Sequence, residues 1–140
     1  MTITAIDKVL YTAKTHTTGG RDGAAKSSDG QLDVKLSRPG SNAPGTNPEQ
    51  LFAAGWSACF QGAMARAAGE LKVALPADHF IDAEVDLGSA HNDFFLQARF
   101  NVGLPGLDRE TAKKVVERAD QICPYSKLSR GNIDVQFNLV

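Results

Sequence analysis

Asn47-Pro48-Glu49-Gln50-Leu51-Phe52-Ala53-Ala54-Gly55-Trp56-Ser57-Ala58-Cys59-Phe60-Gln61-Gly62-Ala63-Met64-Ala65-Arg66-Ala67-Ala68-Gly69-Glu70-Leu71 is the stretch on which the fold turns. It carries no charge between Glu49 and Arg66, and alanine, glycine and serine recur along its whole length. Its start is marked in two ways: Asn47 as N-cap with Pro48 at the first helical position, or Thr46 as cap with Glu49 closing a capping box. The run from Leu51 to Leu71 is therefore predicted to be helical. A helix that is apolar on nearly every side must be covered on nearly every side, and small side chains let a neighbouring backbone come close. This helix belongs at the centre of the molecule.

Downstream, Ile81, Ala83, Val85 and Leu87 alternate with Asp82, Glu84 and Asp86, and Phe94, Leu96, Ala98, Phe100 and Val102 repeat the period. Two half-buried strands joined by a hairpin loop over Ser89 to Asp93 follow from that pattern. Gly103-Leu104-Pro105-Gly106 breaks the sheet. Asp108 then caps a second helix whose apolar positions Ala112, Val115, Val116, Ala119, Ile122 and Cys123 share one face, so Cys123 points inward. Pro124 cannot continue the ladder and places that thiol at the helix end. Ile133, Val135, Phe137 and Leu139 form a last strand. Upstream, Val9, Tyr11 and Ala13, and then Leu32, Val34 and Leu36, read as strands on either side of a tight turn at Thr17 to Gly23. The Pro- and Gly-rich segment from Ser37 to Thr46 is a connector.

The order β-β-α-β-β-α-β, with hairpins and no βαβ crossover, gives an α+β fold with a mainly antiparallel sheet. A single sheet covers one side of the central helix; the uncovered side predicts a homodimer. At 140 residues the chain is the size of one domain, residues 1–140. Fifteen basic against 16 acidic residues leave a formal net charge of −1, which argues against nucleic acid or an anionic membrane surface as partner. The first ten residues have neither the basic leader nor the apolar core of a signal peptide, and no later run is long enough for a bilayer span, so a cytoplasmic location is expected.

Cys59 and Cys123 are the only cysteines. In a reducing compartment such a pair is either a transient, catalytic disulfide or two unrelated buried thiols. The spacing is not that of a C-x-x-C site, so any link between them must be made by the fold. Only the thiolate is a nucleophile, and Cys59 sits about three turns into its helix, beyond the reach of the helix dipole. A cation must activate it. Arg21, in Gly19-Gly20-Arg21-Asp22-Gly23, suits that role because guanidinium keeps its charge when buried, and Glu49 is placed to orient it. Taken singly, a cysteine among alanines is more often core, an arginine in a turn more often solvated, and a glutamate at a helix start more often a cap. His16, His79 and His91 have no ligand spacing to either cysteine, and no metal site is expected.

The stretches Gly19 to Gly23, Gly45 to Gly55 followed by Ser57-Ala58-Cys59-Phe60, and Cys123-Pro124-Tyr125-Ser126 with Arg130 to Val135 resemble the OsmC/Ohr family of organic hydroperoxide resistance proteins, in order and over almost the whole chain. The resemblance implies an intertwined α+β homodimer, with mainly antiparallel sheets packed around central helices. It implies a thiol peroxidase acting on organic hydroperoxides, with no bound cofactor, re-reduced by dihydrolipoamide or a lipoylated protein. Cys59 would be the peroxidatic cysteine, Cys123 the resolving cysteine that forms a disulfide with it, Arg21 the activating guanidinium and Glu49 the carboxylate holding Arg21. Phe52, Trp56, Phe60, Met64, Phe94 and Phe95 are then candidates for the apolar walls of a substrate pocket. Two other readings share these residues: a peroxidase of broader substrate range, and a redox-sensing or ligand-binding module. Glu49 and Cys59 are ten residues apart, roughly 15 Å along a helix axis. Antiparallel packing of two central helices would bring Glu49 of one subunit beside Cys59 of the other.

Overall fold

The computed structural model describes residues 2–140; Met1, the first residue of the stretch read for a leader, lies outside them. The chain forms two compact units, the residues up to Pro48 and Glu49–Val140.

In the first unit, β1 (Thr15–Thr18), β2 (Ala24–Ser27) and β3 (Asp33–Lys35) form an antiparallel sheet in that order. The β1–β2 connection is a single 3-10 turn, Gly20–Asp22, entered through Gly19 at φ 74°. A side chain on Gly23 would collide with the carbonyl oxygen of Thr18. Glycine at both ends of this turn is what allows it to close. The sheet departs from expectation upstream. Residues 9–13 are not a strand, and Val9 and Tyr11 are 69% and 78% exposed. The alternation at Val9, Tyr11 and Ala13 is present, but no strand among the described residues pairs with it. β2, with the short apolar pair Ala24-Ala25 between polar ends, carries too little period to be read as a strand. Leu36 bridges Thr46 in parallel, and Ser37 N–H donates to the Thr46 carbonyl at 2.9 Å, which closes the Pro- and Gly-rich connector into a loop.

The second unit opens with α1 (Pro48–Leu71), which has Pro48 as its first helical residue and Glu49 in its first turn. β4 (Phe80–Ala90) and β5 (Asp93–Gly103) pair antiparallel in full register. Their loop is shorter than the expected Ser89 to Asp93: two residues, His91 and Asn92, at φ 53° and 62°. That geometry is the left-handed turn whose twist matches a hairpin. Asp108 caps α2 (Arg109–Ile122) by accepting the Thr111 N–H at 3.0 Å. A further helix, α3 (Pro124–Ser129), follows at once, where Pro124 read only as a stop. β6 (Asp134–Leu139) then pairs with β5 in parallel. The expectation of hairpins without a crossover is corrected here: α2 and α3 return the chain to the end of the sheet at which β5 began. Strand periodicity is blind to this, since a strand alternates identically whichever way its neighbour runs.

α1 and α2 lie on the apolar face of this sheet. Trp56, Phe60 and Met64 of α1 meet Phe100 and Val102 of β5, Val115 and Ala119 of α2, and Phe137 of β6 in one core. Aromatic rings form its centre: Trp56–Phe100 centroids are 4.6 Å apart, Phe60–Phe137 5.2 Å and Phe60–Phe100 5.5 Å. The other face of the hairpin carries Arg99 against Glu84 and Asp86. No helix among the described residues is long and apolar enough to cross a membrane.

Candidate functional site

Cys59 lies on α1 one turn past Trp56, half-buried; Cys123 is fully buried. Cys123 belongs to two helices at once. Its N–H donates to the Ala119 carbonyl as the last bond of α2, and its carbonyl accepts from Lys127 N–H as the first bond of α3. Its backbone, at φ −67° and ψ 122°, is extended between them. Pro124 fits the first position of α3 because its missing N–H has no partner there in any helix. The corner so formed brings the two sulfurs together: Cys123 Sγ donates to Cys59 Sγ across 3.5 Å, and both thiols are free. A disulfide needs about 2.05 Å between sulfurs, so a small movement of the corner closes the bond.

The electrostatics of the pair set a requirement. Burial and the neighbouring Cys123 thiol push the Cys59 thiol above its ordinary value, while the backbone N–H of Tyr125 pulls it down. Burial leads, so an additional cation is needed to make Cys59 a thiolate at neutral pH. Tyr125 was not among the residues singled out by sequence. Its contribution is a main-chain group, which no residue type announces; Pro124 in a helix-starting position was the available signal.

Of the other expected residues, Glu49 stands in the first turn of α1, half-buried, and Arg21 stands half-buried in the 3-10 turn of the first unit. Phe52 is half-buried and stacks with Tyr125 at 6.2 Å between centroids. Trp56, Phe60 and Met64 have no exposed surface, so these three are core and do not line an open pocket in the chain as it stands. Phe94 and Phe95 are 74% and 53% exposed at the start of β5, on opposite faces of the strand.

A family model for OsmC-like proteins matches residues 39–138, a span that includes both cysteines. The chain belongs to the OsmC/Ohr family. It is 47% identical to the organic hydroperoxide resistance protein of Xanthomonas axonopodis pv. citri over 137 residues, covering 95% of this chain and 96% of that one. The crystal structure of the organic hydroperoxide resistance protein OhrB of Bacillus subtilis superposes with a TM-score of 0.89 at 41% identity, over 94% of this chain and 100% of that one. That of a relative from Vibrio cholerae, with captopril bound in one of its active sites, gives 0.88 at 37% identity over 95% and 94%. The α+β architecture of this OsmC/Ohr chain is thus that of solved family members.

Proposed function

We propose that the chain is a thiol peroxidase that reduces organic hydroperoxides to alcohols. The single observation that supports it most is the pair of free thiols 3.5 Å apart, one reachable from solvent and one sealed behind it; the names of the relatives supply the substrate class. The Cys59 thiolate attacks the distal peroxide oxygen, the O–O bond breaks, and the alkoxide leaves and takes a proton to become the alcohol. Cys59 is then a sulfenic acid. Cys123 sulfur attacks Cys59 sulfur, the S–O bond breaks, and hydroxide leaves with the thiol proton as water. Arg21, held by Glu49, supplies the cation that Cys59 requires.

The buried position of Cys123 leaves Cys59 as the sulfur that an external thiol attacks in re-reduction. A lipoyl dithiol suits this, because its second thiol displaces the first from the mixed disulfide by closing its own ring. The reducing cytoplasm is the compartment that keeps such a donor supplied. The homodimer is supported by apolar surface left open in one chain: Ile3, Ile6, Val9, Leu10 and Tyr11 are exposed, as are Ala54, Ala58, Gly62 and Ala65 along one face of α1. Steady-state turnover of cumene hydroperoxide tests the reading. Dihydrolipoamide sustains many turnovers per chain and glutathione far fewer; a single turnover with either donor identifies a redox sensor instead.

A further inference from the structure

A second tie joins the two helices beside the thiols. Trp56 Nε1–H donates to Ser126 Oγ at 3.2 Å. Trp56 precedes Cys59 by three residues on α1, and Ser126 follows Cys123 by three on α3, so the hydrogen bond and the sulfur pair are matched rungs between the same two elements. Trp56 is fully buried and Ser126 is 1% exposed. Ser129 Oγ–H donates to the Ser126 carbonyl at 3.1 Å, and the Tyr125 ring rests against Gly55 of α1, within 3.7 Å of where a side chain there would begin.

The α2–α3 corner depends on such ties. At Pro124 the N–H ladder is interrupted, so the backbone that carries Cys123 is fixed by its neighbours and not by a continuous helix. A buried hydrogen bond holds its partners firmly because breaking it leaves both polar groups unsatisfied away from water. We propose that the Trp56–Ser126 hydrogen bond is the positioning clamp of the resolving step, holding α3 on α1 so that Cys123 Sγ is presented to Cys59 Sγ. In the peroxidase reading on which this rests, the clamp serves condensation of the Cys59 sulfenic acid with the Cys123 thiol, with loss of water. Trp56 and Ser126 are positioning residues; neither touches the reacting atoms.

The test replaces hydroperoxide with 4,4′-dithiodipyridine. The exposed edge of Cys59 attacks it, releasing one thiopyridone and forming a mixed disulfide; Cys123 then attacks Cys59 sulfur, releasing the second thiopyridone and closing the internal disulfide. Stopped-flow absorbance gives both rate constants. In Ser126→Ala the ratio of second to first falls about tenfold, as a displaced reacting group requires, and Ser126→Thr, which keeps the hydroxyl, recovers most of it. Trp56→Phe, which removes the donor, lowers the ratio as Ser126→Ala does and gives the same comparison should the serine variant not fold. An unchanged ratio in Ser126→Ala or Trp56→Phe overturns the proposal, as does a fall in Ser126→Thr as large as in Ser126→Ala. The readout needs no hydroperoxide, so failure of the clamp and failure of the peroxidase reading are separate results.

Discussion

At the scale of single residues, the two cysteines divide the chemistry by their exposure. Cys59 reaches solvent and Cys123 does not, so only Cys59 is placed to meet a peroxide. Cys59→Ser is expected to abolish hydroperoxide consumption, whereas Cys123→Ser releases one alcohol per chain and stalls at the sulfenic acid. Quantifying cumyl alcohol in a single turnover checks this; equal loss in both variants would reverse the roles. Burial raises the Cys59 thiol pKa, and Arg21→Ala removes the proposed counter-charge. The Cys59 titration, followed by thiolate absorbance, should move up in Arg21→Ala, and the peroxidase rate at neutral pH should fall roughly with the thiolate fraction. Glu49→Ala should shift it in the same direction by less. The sequence made both thiols visible, since residue type and helical face suffice to turn Cys123 inward. It did not reveal Tyr125 N–H or the Trp56–Ser126 bond, because one is a main-chain group and the other joins residues from opposite ends of the second unit.

At the scale of elements, strong period was legible and pairing was not. α2, β4, β5 and β6 follow from apolar spacing, α1 from its start signals and its long uncharged run, and the Asp108 cap from residue type. β2 was missed for want of length, α3 because Pro124 both ends one helix and starts another, and the parallel β5–β6 pairing because alternation has no direction. The outer face of the β4–β5 hairpin shows what does fix register. Glu84 stands opposite Arg99 in the ladder, and Arg99 also holds both oxygens of Asp86 at 2.8 and 2.9 Å. The Arg99 guanidinium, with Gln97, lowers the Asp86 carboxyl to about 2. A folded value below the unfolded one, about 3.9, means stability that is complete above the unfolded value and lost as pH falls through the folded one. The stability difference between the protein and Asp86→Asn, measured by urea unfolding, should therefore be constant above about pH 5 and shrink between about pH 4 and pH 2. A difference that grows on acidification contradicts the ion pair. Because the pair is solvent-exposed, its contribution should also fall with added salt.

At the scale of the whole molecule, the open apolar surfaces and the distance from Glu49 to Cys59 point to the same arrangement. Ten helical residues separate the two along α1, roughly 15 Å, and in the proposed dimer antiparallel packing of two central helices would bring Glu49 of the partner subunit beside Cys59. Mixing Cys59→Ser with Arg21→Ala chains, each inactive alone, should restore about one working site per heterodimer, because the two-fold relation leaves one site whole and the other doubly broken. Verified heterodimers without activity would show that Arg21 and Cys59 act within one chain. The proposal of a dimer rests on α1, whose small side chains face solvent at Ala54, Ala58 and Gly62 in the single chain. The exposure of Val9 and Tyr11 was not anticipated, because their alternation with Ala13 reads as an ordinary strand. Above both scales stands the claim that the sulfurs now 3.5 Å apart become one bond at the expense of a hydroperoxide. Reacting the reduced protein with one equivalent of cumene hydroperoxide, quenching in acid and mapping disulfides tests it directly. The account predicts loss of both thiols, one equivalent of cumyl alcohol and a Cys59–Cys123 bond within each chain; intact thiols beside unconsumed hydroperoxide, or disulfides only between chains, would contradict it.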